Sequence, residues 1–224
     1  MIDILIPTYG RADRIAAVYA NIEENTSAMH RVLFIVEGDD HASIDAVLSL
    51  GLHPVENQRC RTYAGAINTA YMTASNAPYL FAGADDLRFH SGWDWAALAV
   101  MGAAGRVEVV GTNDLLNPYV AQGFHATHYL VVRTYLDRDG GVVDAGSGSF
   151  LPENYDHQFT DTEFIGTAKM RARFMPCMDS IVEHLHYLAG KSEHDATYER
   201  AYAEIDRDEE TYIARRDLWF GISR

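Results

Sequence analysis

The chain opens on an unbroken apolar run, Ile2 to Pro7, and then changes period: between Arg11 and Glu24, Ile15, Val18, Tyr19 and Ile22 recur at spacings of three and four. The first pattern predicts a strand buried on both faces, the second an amphipathic helix. The alternation repeats. Arg31 to Val36 is a second apolar strand, Ser43 to Leu50 a helix stopped by Gly51, Leu52 to Val55 a third strand, Thr62 to Ala74 a helix and Tyr79 to Ala82 a fourth strand. Trp93 to Met101 continues as a helix and Val107 to Val110 as a strand. Strands alternating with helices predict an α/β fold, a mostly parallel Rossmann-like sheet flanked by helices, with its ligand site at the carboxyl ends of the strands.

Beyond residue 110 the pattern loosens. Phe124 to Arg133 reads as strand, Asp137 to Gly141 as a turn, and Tyr198, Tyr202, Ile205 and Tyr212 fall at near-helical intervals that predict a packed C-terminal helix. A hydrophobic content of 48% with 22% charged residues is ordinary for a globular chain of 224 residues. No apolar stretch is long enough to span a bilayer, and the N-terminus has no basic region before its apolar run, so a cytoplasmic protein without a membrane partner is expected. Cys60 and Cys177 lack metal-motif spacing and are expected as reduced thiols. Acidic residues outnumber basic ones 32 to 18, and no basic block is present, which argues against tight nonspecific nucleic-acid binding.

Three polar clusters fall at predicted strand ends: Thr8-Tyr9-Gly10-Arg11 after the first strand, Glu37-Gly38-Asp39-Asp40 after the second and Asp85-Asp86 after the fourth. Adjacent carboxylates at a sheet edge repel each other unless water, a base or a hard cation offsets the charge. The same residues also suit structural duties, Asp40 as a helix N-cap and Pro7 to Gly10 as a plain turn.

These residues, Ile4-Leu5-Ile6-Pro7-Thr8-Tyr9-Gly10-Arg11, the acidic end of the second strand and the apolar strand ending in Asp85-Asp86, together resemble the nucleotide-binding half of GT-A glycosyltransferases of the family 2 type. Arg61-Thr62-Tyr63-Ala64-Gly65-Ala66-Ile67-Asn68 is similar to that family's Gly-rich, Asn-containing helix, with Ile67 in place of its Arg. The resemblance covers about residues 1 to 95. It implies one domain over residues 1–190, its nucleotide-sugar half 1–95 and its acceptor half 96–190, followed by a helical extension over 191–224. It further implies that Pro7, Thr8 and Tyr9 cradle the base and ribose of a nucleoside-diphosphate sugar, with Tyr9 stacking. Glu37 or Asp39 contacts base or ribose, and Arg61 or its rival Arg59 takes the diphosphate. Arg11 and Asp85 complete the expected donor-binding set.

The family's metal motif is Asp-x-Asp, and Gly83 stands in its first acidic place. Asp86 is therefore expected to hold Mn2+ or Mg2+ with help from His184 or His186, two residues apart and on one face of an extended segment. The resemblance points to an inverting transfer, for UDP-linked sugars in preference to GDP-linked ones. Asp161 is the expected general base, with Glu163 beside it and Asp156 and Glu153 as substitutes. Thr160 to Glu163 equally matches a capping box. His125 and His128 are candidates for the acceptor side, and Trp93 or Trp95 for a stacking platform. The acceptor is open among a protein, a glycan and a modified nucleobase. Two other classes remain: an inactive nucleotide-sugar-binding module, which Gly83 favours, and a nucleotidyltransferase making sugar nucleotides, whose Gly-rich, Lys-containing loop Thr8 to Arg11 lacks.

Overall fold

The structure, a computed structural model, describes residues 1–103 and 105–220. Along the chain the elements are β1 (Ile2–Pro7), α1 (Ala12–Asn25), β2 (His30–Val36), α2 (His41–Ser49), β3 (Val55–Glu56), α3 (Tyr63–Thr73), β4 (Tyr79–Ala82), β5 (Leu87–Phe89), α4 (Trp93–Ala103), β6 (Val109–Asn113), α5 (Pro118–Ala121), β7 (Tyr129–Val132), α6 (Arg133–Asp139), α7 (Thr160–Met170), β8 (Phe174–His184), α8 (Ala196–Ala203), α9 (Ile205–Arg215) and α10 (Asp217–Phe220). Eight strands make one sheet in the order β3-β2-β1-β4-β7-β6-β8-β5. Only β5 and β7 run against the rest.

The apolar strands divide their side chains between two cores, as a period of two requires. Ile4, Ile6, Val32, Phe34 and Phe81 face one layer, filled by Ile15, Val18 and Ile22 of α1, Val47 of α2 and Trp93 of α4. Leu5, Leu33, Ile35, Leu80 and Ala82 face the other, filled by Ile67 and Tyr71 of α3, Leu136 of α6 and Phe164 and Ile165 of α7. Burial on both faces is why these strands read as continuous apolar runs.

The third strand is displaced from 52–55 to Val55–Glu56, because Pro54 has no N–H for the ladder. Within 124–133 only Tyr129–Val132 pairs; the chain then turns directly into α6, so the turn expected at Asp137 to Gly141 is the end of that helix, closed at Gly140. The single C-terminal helix expected from the tyrosine spacing is three helices, and residues 221–224 of the expected extension lie outside the described residues. The middle one, α9, is tied into the body at two points. Asp208 of α9 accepts backbone N–H bonds from Asp156, His157 and Gln158 at 2.7, 2.9 and 2.7 Å. Arg215 pairs with Glu163 and Asp144. Cys60 and Cys177 are free thiols. Among the described residues no helix is long and apolar enough to cross a membrane.

Candidate active site

The polar clusters at the ends of β1, β2 and β4 meet in a cleft of about 710 Å³. β1 and β4 are parallel neighbours, so Thr8 and Asp85 leave the sheet side by side, and Thr8 Oγ1 donates to Asp85 Oδ2 at 2.8 Å. Arg11, at the start of α1, reaches across both acids: Nη1 lies 2.8 Å from Asp85 Oδ1 and 3.5 Å from Asp86 Oδ2. Its other edge is held by Asp195, with Nε and Nη2 donating to the two carboxylate oxygens at 2.9 and 3.0 Å. A fork of this kind matches carboxylates in two directions at once.

The two acids are thereby made unequal. Burial opposes ionising either. Asp86 adds to that cost at Asp85, whose pKa is pushed up to about 6 despite Arg11 and Thr8. At Asp86 the opposition from burial is outweighed by His184, Arg11 and the Tyr198 hydroxyl, which hold its carboxyl well below the usual range. Tyr198 donates to Asp86 Oδ2 at 2.8 Å, and His184 Nε2 stands 3.4 Å from the same oxygen. That spacing suits two adjacent ligands of one cation with bonds of about 2.1 Å. His186 lies next to this pair, its ring 5.0 Å from that of His184, with its Nδ1 accepting from the Leu188 amide. Burial and the neighbouring His184 lower its pKa to about 4, and its accepting nitrogen is already taken by the Leu188 amide. Among the described residues no group of three His, Cys, Asp or Glu forms a complete ligand set. Asp86 and His184 could offer two positions to a cation.

Gly83 explains the missing acid. A Cβ there would lie 2.8 Å from Ile6 Cδ1 and 3.3 Å from the Leu5 carbonyl oxygen, so a side chain fits only if Ile6 moves and the end of β1 gives slightly.

Toward β2, Glu37 lines the cleft and accepts from Asn57 Nδ2 at 2.8 Å, while Asp39 is 59% exposed, outside the cleft lining, and paired with Arg61 at 2.8 Å. Arg61 lines the cleft; Arg59 is bound instead to Glu153, away from it. Tyr9 lines the cleft, and its ring carries two cations. Arg200 lies over it at 4.2 Å and Arg61 at 5.4 Å.

On the opposite wall, Asp161 faces the cleft from the first turn of α7, and His125 Nε2 sits 3.0 Å from its Oδ2. The capping box expected at this helix start is absent. The N-cap is Phe159 in a left-handed conformation with no side-chain cap, and Thr160 is already helical. Glu163 turns away from the cleft: it is fully buried, accepts from Tyr155 Oη at 2.8 Å and is ion-paired with Arg215. Of the substitutes, Asp156 lines the cleft and Glu153 does not. Trp93 is buried, its Nε1 donating to Thr26, and Trp95 is 59% exposed; neither borders the cleft.

Several cleft residues escaped the sequence reading. Asp114 ends β6 at the same sheet edge, and its position after an apolar strand was the same signal that marked Asp85; it accepts from the Leu116 and Asn117 amides and from Thr127 Oγ1. Tyr198 and Arg200 come from α8, where only a helical spacing of tyrosines was visible, and Asp195, its N-cap, stands behind Arg11. Two polar atoms in the cleft wall, Tyr63 Oη and His128 Nε2, are buried with no hydrogen-bond partner among the described residues. Such atoms are costly unless a ligand or water satisfies them.

No protein-family model matches the chain, and no curated protein matches it in sequence. Solved structures do match in fold. A mannosyltransferase from Pyrobaculum calidifontis in complex with GDP-Man and Mn2+ superimposes with a TM-score of 0.64 at 18% identity, over 83% of this chain and 57% of that one. The chain thus spans little more than half the length of that enzyme. Glucosyl-3-phosphoglycerate synthase from Mycobacterium tuberculosis, in complex with Mn2+, UDP and glucosyl-3-phosphoglycerate, gives 0.65 at 11% identity, over 100% of this chain and 81% of that one. Mannosyl-3-phosphoglycerate synthase from Rubrobacter xylanophilus gives 0.63 at 12% identity, over 95% and 74%. A β1-to-β4 parallel half with a polar cleft at its carboxyl edge, matched at this level across three sugar transferases, is the GT-A fold.

Proposed function

We propose that the chain transfers one sugar from a nucleoside-diphosphate sugar to an acceptor hydroxyl. The observation that carries this reading is the meeting of Asp86 and His184, 3.4 Å apart, at the floor of a cleft walled by the loops after β1, β2 and β4. The donor lies with its nucleoside toward Thr8, Glu37 and Arg61 and its diphosphate over Asp86 and His184. Asp86 and His184 would hold a divalent cation, which would supply charge to offset the departing nucleoside diphosphate. Arg11 and Thr8 hold Asp85, and Asp86, beside His184, is the carboxylate assigned to the ligand. On the far wall Asp161 takes the proton of the acceptor hydroxyl as its oxygen bonds to the anomeric carbon and the bond from that carbon to the diphosphate breaks. The unsatisfied Tyr63 Oη and His128 Nε2 support a polyhydroxy ligand.

Calorimetry of UDP and GDP with and without Mn2+, followed by turnover of UDP-glucose and GDP-mannose, tests the reading. Cation-dependent binding lost in Asp86→Ala, and turnover lost in Asp161→Ala, are expected. A second reading, a binding module without turnover, has its own observation: Arg11 and Tyr198 already occupy the acids. Tight nucleotide binding without consumption of either donor would select it.

A further inference from the structure

We infer that His125 is a positioning residue that stands behind Asp161, orienting its carboxylate and keeping it ionised while it faces the cleft. The inference rests on the assignment of Asp161 as the proton acceptor. The geometry has a direction. Asp161 lines the cleft and its side chain is 25% exposed; His125 does not line the cleft and is 14% exposed, so the ring lies on the protein side of the carboxylate. In this order the carboxylate meets the substrate and the imidazole supports it.

The pair is held by the surrounding fold. His125 lies on the loop between α5 and β7, and that loop is fastened to α7 at two points about two helical turns apart. At one end His125 Nε2 meets Asp161 Oδ2 at 3.0 Å; at the other Lys169 Nζ donates to the carbonyl of Phe124. Asp161 Oδ1 meanwhile accepts from the Thr162 amide at 2.7 Å. One oxygen is thus fixed by its own helix and the other by the ring, which sets the plane of the carboxylate before any substrate arrives.

The charges around the pair agree. Burial opposes a charged His125 ring, yet Asp161 and, more weakly, Asp114 lift its pKa above the ordinary imidazole value, with Lys169 working against them. Burial likewise opposes ionised Asp161, and His125, the Thr162 amide and His128 bring its pKa below the ordinary carboxylate value. On the other packed elements, Tyr63 of α3 and His157 of the loop before α7 feel the Asp161 charge, and neither bonds to it.

The test is the pH dependence of kcat/KM for UDP-glucose and GDP-mannose consumption with Mn2+, in wild type, His125→Asn and Asp161→Asn. Removing a cation beside a carboxylate raises the carboxylate's pKa, so in His125→Asn the acid limb should move up by about 1–3 pH units while KM holds and the rate recovers toward alkaline pH. An unmoved acid limb overturns the inference. Full activity in Asp161→Asn overturns the assignment of the base, and with it the role of His125. A wild type that consumes neither donor removes the proposed function altogether. Should His125→Asn fail to fold, proton NMR of the His125 ring decides. It should titrate above free imidazole in wild type and fall in Asp161→Asn; an ordinary value in both overturns the pairing.

Discussion

A side chain at position 83 meets Ile6 and the Leu5 carbonyl, so restoring the missing acid of the metal motif should not restore a metal site. Gly83→Asp is expected to cost about 1–3 kcal/mol, as overpacking in a well-packed core does, read as a lowered denaturant midpoint with no gain in Mn2+ affinity. Residues whose place is set by the strand they follow were legible in the sequence: Thr8, Asp85 and Asp86 come after apolar runs that read as buried strands. Glu163 was not legible. It sits two residues from Asp161 with the same chemistry, and what separates them is Arg215, 52 positions away, which claims Glu163 for the interior. Arg11 belongs to the same class, since its hold on the acid pair depends on Asp195.

At the scale of the element, α3 carries the consequence of one close approach. A Cβ on Gly65 would lie 2.1 Å from the Cys60 carbonyl oxygen, so the first turn of this helix is pressed onto the preceding loop that bears Arg59 and Arg61. Gly65→Ala should therefore destabilise by about 1–3 kcal/mol where an exposed helical glycine would gain from the change. Thr62→Ala, which removes the side-chain bond to the Gly65 amide at 3.1 Å, should cost about 1 kcal/mol; urea unfolding measures both. Strands β1, β2 and β4 and helices α1 to α4 were readable because burial on one or two faces imposes a period. β8 was not, for it carries Pro176 and Asp179 and its pairing with β6 shifts register between Thr112 and Asn113, which breaks any alternation. β5, three residues long, is too short to show one.

At the scale of the molecule, the C-terminal helices are part of the cleft and of its support. Arg215 closes a buried ion pair on Glu163, and Asp208 gathers the three amides of the loop that leads into Asp161. Arg215→Ala leaves Glu163 buried with Tyr155 as its remaining partner and should lower stability by about 3 kcal/mol, measured by thermal unfolding. Neither link was visible in a reading that treats each stretch by its own periodicity, because contacts between distant segments leave no local pattern.

The clamp of Asp195 on Arg11 joins residues 184 positions apart. A ribosome that has made β1, β2 and β4 has made the acid pair but not the side chain that balances its counter-ion. The nascent sheet must wait, with Arg11 shared between two acids and lacking its third, until α8 emerges. Closing so long a loop is slow relative to forming the local strands and helices. The end of the cleft that holds the acid pair is therefore completed late as the chain is synthesised, although the residues that define it are among the first to be made.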